Sequence, residues 1–241
     1  YRIPFSNMTR EAVLILAFSL SALALQGTQE LRAREIIRYP AVQATNVSPD
    51  THLTLTFTQA PVIGKSGAIR VYDRADRSLV DTLDLSIPAG PPPRTGRGGA
   101  PPDVPAPTYQ KAVIGGFNEG FHFYPVIVHD RTATITLHPH VLKYGHAYDV
   151  TIDPGVLNVE GFSGFHGPNE WTFRTRKAAP SSSATRLVVA ADGSGDFNTV
   201  QGAVDSIPET PHPRVTIFIR RGTYEEIVYF RNKHDITRSE E

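Results

Sequence analysis

Between Ile36 and Lys177 the apolar residues recur at every second position in short runs. In "THLTLTF" Leu53, Leu55 and Phe57 fall on one face and threonines on the other, the period of a half-buried strand. "AIRVYD", "TATITLHP" and "AYDVTID" repeat the alternation, and "EWTFRTR" closes the series. Turn clusters such as Asp73-Arg74-Ala75-Asp76 and Lys143-Tyr144-Gly145 separate them. Short strands at even spacing predict a β-sandwich over 36–177. Within it, "PAGPPPRTGRGGAPPDVPAPT" over 88–108 is too rich in Pro and Gly to pair, so a long loop is expected there, with a polyproline ligand as the alternative reading.

Past residue 177 the pattern changes. "KAAPSSSAT" is a small-residue stretch that predicts a linker over 178–185. "RLVVAAD" then reads as an apolar strand and "GSG" as a turn. In "NTVQGAVDSIP", with Phe197 just before it, Phe197, Val200, Val204 and Ile207 share one helical face. Asn198 with Gln201 resembles a capping box, and Pro208 ends the helix. "RVTIFIRRGTYEEIVYF", Arg214 to Phe230, predicts a buried strand, a turn at Gly222 and a second strand. Strand, helix, strand, strand is not a continuation of the sandwich.

The N-terminus carries a different signal. Met8-Thr9-Arg10 precedes "AVLILAFSLSALAL", 14 apolar or small residues from Ala12 to Leu25. A bilayer span needs about 20, so no stable membrane span is expected. With Ala22-Leu23-Ala24 as an A-x-A-like site, the run predicts a signal peptide over 8–30 and a secreted or periplasmic protein, a buried core helix being the alternative. Residues 1–7 would then lie upstream of the true start. The 24 basic and 24 acidic residues balance without any block of one sign, which argues against a nucleic-acid partner. The chain has no cysteine, which excludes disulfides, thiol nucleophiles and Cys-based zinc sites.

Candidate chemistry is sparse. Glu225 and Glu226 are adjacent, so on a strand they point to opposite faces. A glycosidase pair must converge on one bond, roughly 5 to 10 Å apart, so one of the two is expected in solvent and the other on the turn. "DGSGD", Asp192 to Asp196, could cradle a cation or phosphate, but it lacks calcium-loop spacing, and a turn leading into the helix is the expected role. His138, His140 and His146 lie close in sequence without recognised ligand spacing, and surface positions are expected. "GFSGF", Gly161 to Phe165, misses the G-x-S-x-G elbow at its last position, and Ser194 has no matching spacing. Trp171 and the aromatics of "GFHFYP" offer a sugar-stacking face or a core, and the core is expected for Trp171.

Two motifs together carry a resemblance. Asp192, Gly193, Ser194, Gly195, Asp196, Phe197, Thr199, Val200, Gln201, Ala203 and Val204, followed by Gly222, Tyr224 and Glu226, resemble the start of a pectinesterase (pectin methylesterase) catalytic domain. The match covers Arg186 to about Thr237. The preceding part, through its "NVSPDTHLTLTF" start and "WTFRTR" end, resembles bacterial Ig-like domains of the S-layer-protein type. The resemblance implies an all-β chain: an Ig-like sandwich, then over 186–241 the first coils of a right-handed parallel β-helix with a short capping helix. It also implies hydrolysis of galacturonate methyl esters in pectin (homogalacturonan) without metal or cofactor. In the family one aspartate attacks, a second acts as acid/base, a glutamine stabilises the oxyanion and an arginine positions the nucleophile. Those residues come from later coils, in motifs resembling Q-A-V-A, Q-D-T and D-F-I-F-G, which do not occur here. Gln201-Gly202-Ala203-Val204 resembles the first only superficially. No catalytic, cofactor-binding or metal residue is therefore assigned. Glu226 is expected to satisfy buried turn amides, and Gly222 to permit a sharp turn. "RSEE" departs from the apolar strand expected after "KHDIT", and the chain reads as the N-terminal portion of a longer enzyme, inactive by itself. The alternatives are an Ig-like module that binds polysaccharide or a cell surface, and a different β-helix enzyme such as a lyase.

Overall fold

A computed structural model describes residues 36–90, 109–211 and 213–240. The leader expected over 8–30 lies outside the described residues, and so does the proline-rich loop expected over 88–108 from residue 91 onward. The described chain is mostly short strands and their connections, with one short helix, and from residue 37 onward it forms one unit. All the described strands and the helix lie in that unit.

The strand region holds thirteen short strands among the described residues, of which nine build two sheets. The first contains β1 (Ile37–Tyr39), β3 (Leu53–Thr56), β9 (Val126–His129) and β10 (Thr132–Ile135), in the order β1-β3-β10-β9, all antiparallel. The second contains β2 (Ala44–Val47), β5 (Ala68–Asp73), β6 (Leu79–Asp84), β11 (Ala147–Ile152) and β13 (Thr172–Thr175), in the order β2-β13-β11-β5-β6. Only β2 and β13 run parallel there. The alternation explains which faces are buried. Leu55 stands opposite Ala133 and Leu53 opposite Ile135, and all four are buried. In the second sheet Val71 stands opposite Val150 and Ile69 opposite Ile152, again all buried. An aromatic chain leads from one sheet to the other: Phe57, Phe162, Phe165 and Trp171 follow one another with centroids 5.2, 5.3 and 5.7 Å apart. Trp171 is fully buried and its indole donates to the Pro40 carbonyl at 2.8 Å, so it is core, as its sequence context suggests.

Four two-residue strands, β4 (Val62–Ile63), β7 (Lys111–Ala112), β8 (Phe121–His122) and β12 (Leu157–Asn158), form two small pairs, β4 with β12 and β7 with β8. They are too short to show a period.

Beyond the linker, β14 (Arg186–Val189), β15 (Val215–Ile219) and β16 (Ile236–Glu240) form a sheet that is parallel throughout. Parallel neighbours need long crossovers. The first crossover carries α1 (Val200–Ser206). Leu187 stacks on Ile217 and Val189 on Ile219, and these face Val200, Ala203, Val204 and Ile207 of the helix segment together with Phe197. The helical face read from the sequence is thus the buried one. The second strand expected across Tyr224–Phe230 is absent. In its place "ITRSE" pairs in register with β15, and Arg238 and Glu240 occupy the positions next to Ile217 and Ile219. The departure from an apolar strand shows in exposure: from Thr237 to Glu240 every residue of β16 is exposed.

Ile217 lies at the centre of this small core and is 1% exposed. Ile217→Ala should cost about 2–5 kcal/mol in urea unfolding, whereas Leu79→Ala, at an exposed position, should stay within about 0.5 kcal/mol.

Candidate functional site

Side chains from both regions converge on the entrance of α1. A helix leaves its first backbone N–H groups without intrahelical partners, and here the first intrahelical bond is long, Ala203 N–H to Thr199 O at 3.4 Å. Five successive amides are satisfied by three side chains. Asp50, in the turn before β3, accepts at one oxygen from the amides of Asn198 (2.9 Å) and Thr199 (2.8 Å) and from the Thr199 hydroxyl (2.8 Å). The Thr199 hydroxyl accepts from the Gly202 amide at 2.9 Å. Glu226 accepts from Val200 at 2.8 Å through one oxygen and from Gln201 at 2.9 Å through the other. Negative charge at the positive end of a helix is favourable in itself.

This arrangement corrects the capping box expected from Asn198 and Gln201. The cap is Thr199, with extended backbone at φ −121° and ψ 151°. Asn198 instead donates through its side chain to the Tyr39 hydroxyl at 2.8 Å. Gln201 reaches across to residue 229, where its carbonyl oxygen accepts from the Tyr229 amide (2.7 Å) and its NH2 donates to the Tyr229 carbonyl (3.3 Å). A side-chain amide thereby takes both backbone groups that a strand partner would have bonded. Tyr224–Phe230 is held against the helix without forming a strand.

The two glutamates separate, as adjacency predicts, although not on a strand. Glu225 is exposed and pairs with His129 at 2.8 Å. Glu226 points to the helix entrance rather than to the glycine turn. Burial pushes its carboxyl up from the ordinary value, opposed by the bonds from Gln201 and Val200. Both oxygens are engaged by backbone amides, which makes it a structural carboxylate. Gly222 does not adopt a positive φ, so the sharp turn does not call for glycine by conformation; a Cβ there would stand 3.2 Å from Ala191 and 3.3 Å from the Tyr224 ring, a tight fit.

The "DGSGD" stretch is a turn, as expected. Asp192 accepts from the Ser194 amide (2.9 Å) and hydroxyl (2.6 Å), Gly193 has φ +81°, and Asp196 accepts from the Val188 amide at 2.8 Å. Its carbonyls face the strand region: Arg176 donates to Asp196 O at 2.6 Å and Gly193 O at 3.0 Å, and the Ser48 hydroxyl donates to Asp196 O at 3.2 Å. Ser194 receives a bond from Arg220 at 2.8 Å, and Ser163 in "GFSGF" is exposed on a loop between core aromatics. His138, His140 and His146 are not brought together. Each meets its own carboxylate: Asp81 at 2.7 Å, Asp205 at 3.2 Å and Asp73 at 2.5 Å. No group of three or more His, Asp or Glu suited to a metal occurs among the described residues. Nor is any helix among them long and apolar enough to cross a membrane.

A cavity of about 140 Å³ lies beside the helix entrance, lined by Tyr39, His52, Thr54, Thr134, Asn198 and Glu226, among others. Burial pushes the His52 imidazole down and the Glu226 carboxyl up, so both charged forms are disfavoured there. A second cavity of about 310 Å³ opens by Phe230, Ile236 and Arg238 on the coil. Neither brings a nucleophile, a base and an oxyanion donor to one point. Sequence reasoning missed Asp50, Tyr39 and Arg176 as participants, because each joins α1 or its turn from far along the chain.

His140 supplies a pH test. Its hydrogen bond to Asp205 in α1 raises the imidazole above its ordinary value, against partial burial. A raised folded pKa gives stability that is full below the unfolded value, about 6.5, and lost as pH rises through the folded one. NMR titration should find the His140 midpoint above that of an unfolded histidine, and Asp205→Asn should bring it down and flatten stability across that window. A His140 midpoint at or below the ordinary value would refute the pairing.

Comparison with known proteins places the family match in the second region. Residues 186–237 match the family model described as Pectinesterase. Pectinesterase 4 of Arabidopsis thaliana is 47% identical over 53 residues, 22% of this chain and 9% of that protein. Pectinesterase 1 of Citrus sinensis is 40% identical over 77 residues, 32% of this chain and 12% of that protein. The pectinesterase/pectinesterase inhibitor of Ficus pumila var. awkeotsang is 50% identical over 44 residues, 18% of this chain and 8% of that protein. The chain spans about a tenth of the length of these relatives. No solved structure gives a significant match. The motif residues that build the α1 entrance and the turn before it fall inside residues 186–237, the segment that is similar to the pectinesterase family.

Proposed function

We propose that residues 186–241 open the catalytic domain of a pectinesterase, and that the longer protein hydrolyses methyl esters of galacturonate in pectin, releasing methanol. The observation that carries this reading is the coincidence, within one segment, of the family match and of three parallel strands in register, β14, β15 and β16. Parallel strands linked by long crossovers are the unit of a stacked coil, and a parallel β-helix is such a stack. Under this reading α1 is the capping helix of the first coil.

The reacting groups would sit outside the described residues. Both oxygens of Glu226 are occupied by backbone amides, and Asp50 is held through one oxygen by two amides and a hydroxyl, with no base or oxyanion donor converging on either carboxylate. The strand region would be an Ig-like sandwich carried ahead of the enzyme, supported by its two sheets and the aromatic chain between them. The apolar run from Ala12 to Leu25 would direct export to the periplasm or the medium.

Two assays test the reading. Exchanging residues 186–237 for the matching segment of Citrus sinensis Pectinesterase 1 should give a folded chimera that still releases methanol from methyl-esterified pectin, within about tenfold of its parent. A folded but inactive chimera would overturn the assignment. The 241-residue chain itself should release no methanol, and release would overturn the placement of the reacting carboxylates.

A further inference from the structure

The strand region does more at the α1 entrance than lie near it. The first unit of a stacked fold has no preceding unit to cover it. Here the groups it would leave bare are matched one by one from the strand region. The amides of Asn198 and Thr199 are taken by Asp50. The carbonyls of Gly193 and Asp196 are taken by Arg176 and Ser48. The side chain of Asn198 is taken by Tyr39.

The fit extends to shape. A Cβ on Gly202 would lie 2.4 Å from the Asp50 carboxylate, and one on Gly193 would lie 2.2 Å from the Tyr39 hydroxyl. Both distances are impossible for real atoms, so side chains are missing from the coil at the points where the strand region comes closest. On the far side of the helix entrance, Phe117 and Phe121 lie 5.5 Å from the Tyr229 ring, and Arg231 donates to Gly116 O at 2.5 Å. His129 with Glu225 and His140 with Asp205 add two side-chain contacts on the same boundary.

We propose that the strand region is the fixed N-terminal cap of the pectinesterase-like coil, keyed to it by Asp50, rather than a module swinging on the 178–185 linker. Its partner surface is the α1 entrance and the turn from Asp192 to Asp196. The geometry gives the cap its function: it closes the uncovered end of the stack, satisfies its backbone, and sets one orientation between the two regions. This holds whether or not the longer protein acts on pectin.

Native-state hydrogen exchange of the full chain across a urea series reads this directly. In the unaltered protein, the amides of Ala203 to Ser206 should open in the same transition as those of β3 and β10. In Asp50→Ala, α1 amides should exchange at least tenfold faster while β3 and β10 keep their protection. Should Asp50→Ala fail to fold, Gly202→Ala, which forces the Asp50 carboxylate away, should give the same split. Separate transitions in the unaltered protein would overturn the proposal. So would α1 protection unchanged in both variants, because the cap would then not depend on Asp50.

Discussion

The described structure from residue 37 onward turns on the need to satisfy the amides at the start of one seven-residue helix. Isolated helices of this length are marginal in water, and unpaired buried N–H groups cost about 1–3 kcal/mol each. Asp50 and Glu226 meet that need from opposite directions, one 149 residues upstream of Thr199 and the other 26 residues downstream of Val200. Neither could be replaced by a local cap alone, since Thr199 reaches only Gly202. The helix, the turn before it and the loop after β15 are therefore one assembly.

The cost of this arrangement is visible in Glu226. Burial disfavours its charge, and Asp50 and Asp205 add like charge nearby. The amides of Val200 and Gln201 oppose both effects. A carboxylate held in this way is of little use as a catalyst because its acceptor capacity faces the backbone. The same logic separates structural from chemical roles elsewhere. His138, His140 and His146 each hold one aspartate and converge on nothing, and Asp192 and Asp196 fold the turn that contains them.

The sequence made these elements legible to different degrees. Alternation located β3, β5, β10, β11 and β13 because one face of each is buried, and the 3.6 period located α1 with its buried face. The paired motifs located the family segment. Alternation failed at Tyr224–Phe230, where the pattern suits a strand but Gln201 takes the backbone of Tyr229 and Glu226 turns to the helix. It was silent for two-residue strands such as β7 and β8. The cap was misread by one residue because the choice between Asn198 and Thr199 is made by Asp50, whose contact has no local signature. The glycines were legible as motif letters but not as clearance: Gly193 and Gly202 make sense only beside Tyr39 and Asp50.

The central claim is that Asp50 and Thr199 act as a unit. A double-mutant cycle in the full chain, with Asp50→Ala, Thr199→Val and both together followed by urea unfolding, measures that directly. The structure requires a coupling of about 0.5–3 kcal/mol between the two. Additivity within about 0.3 kcal/mol would contradict it.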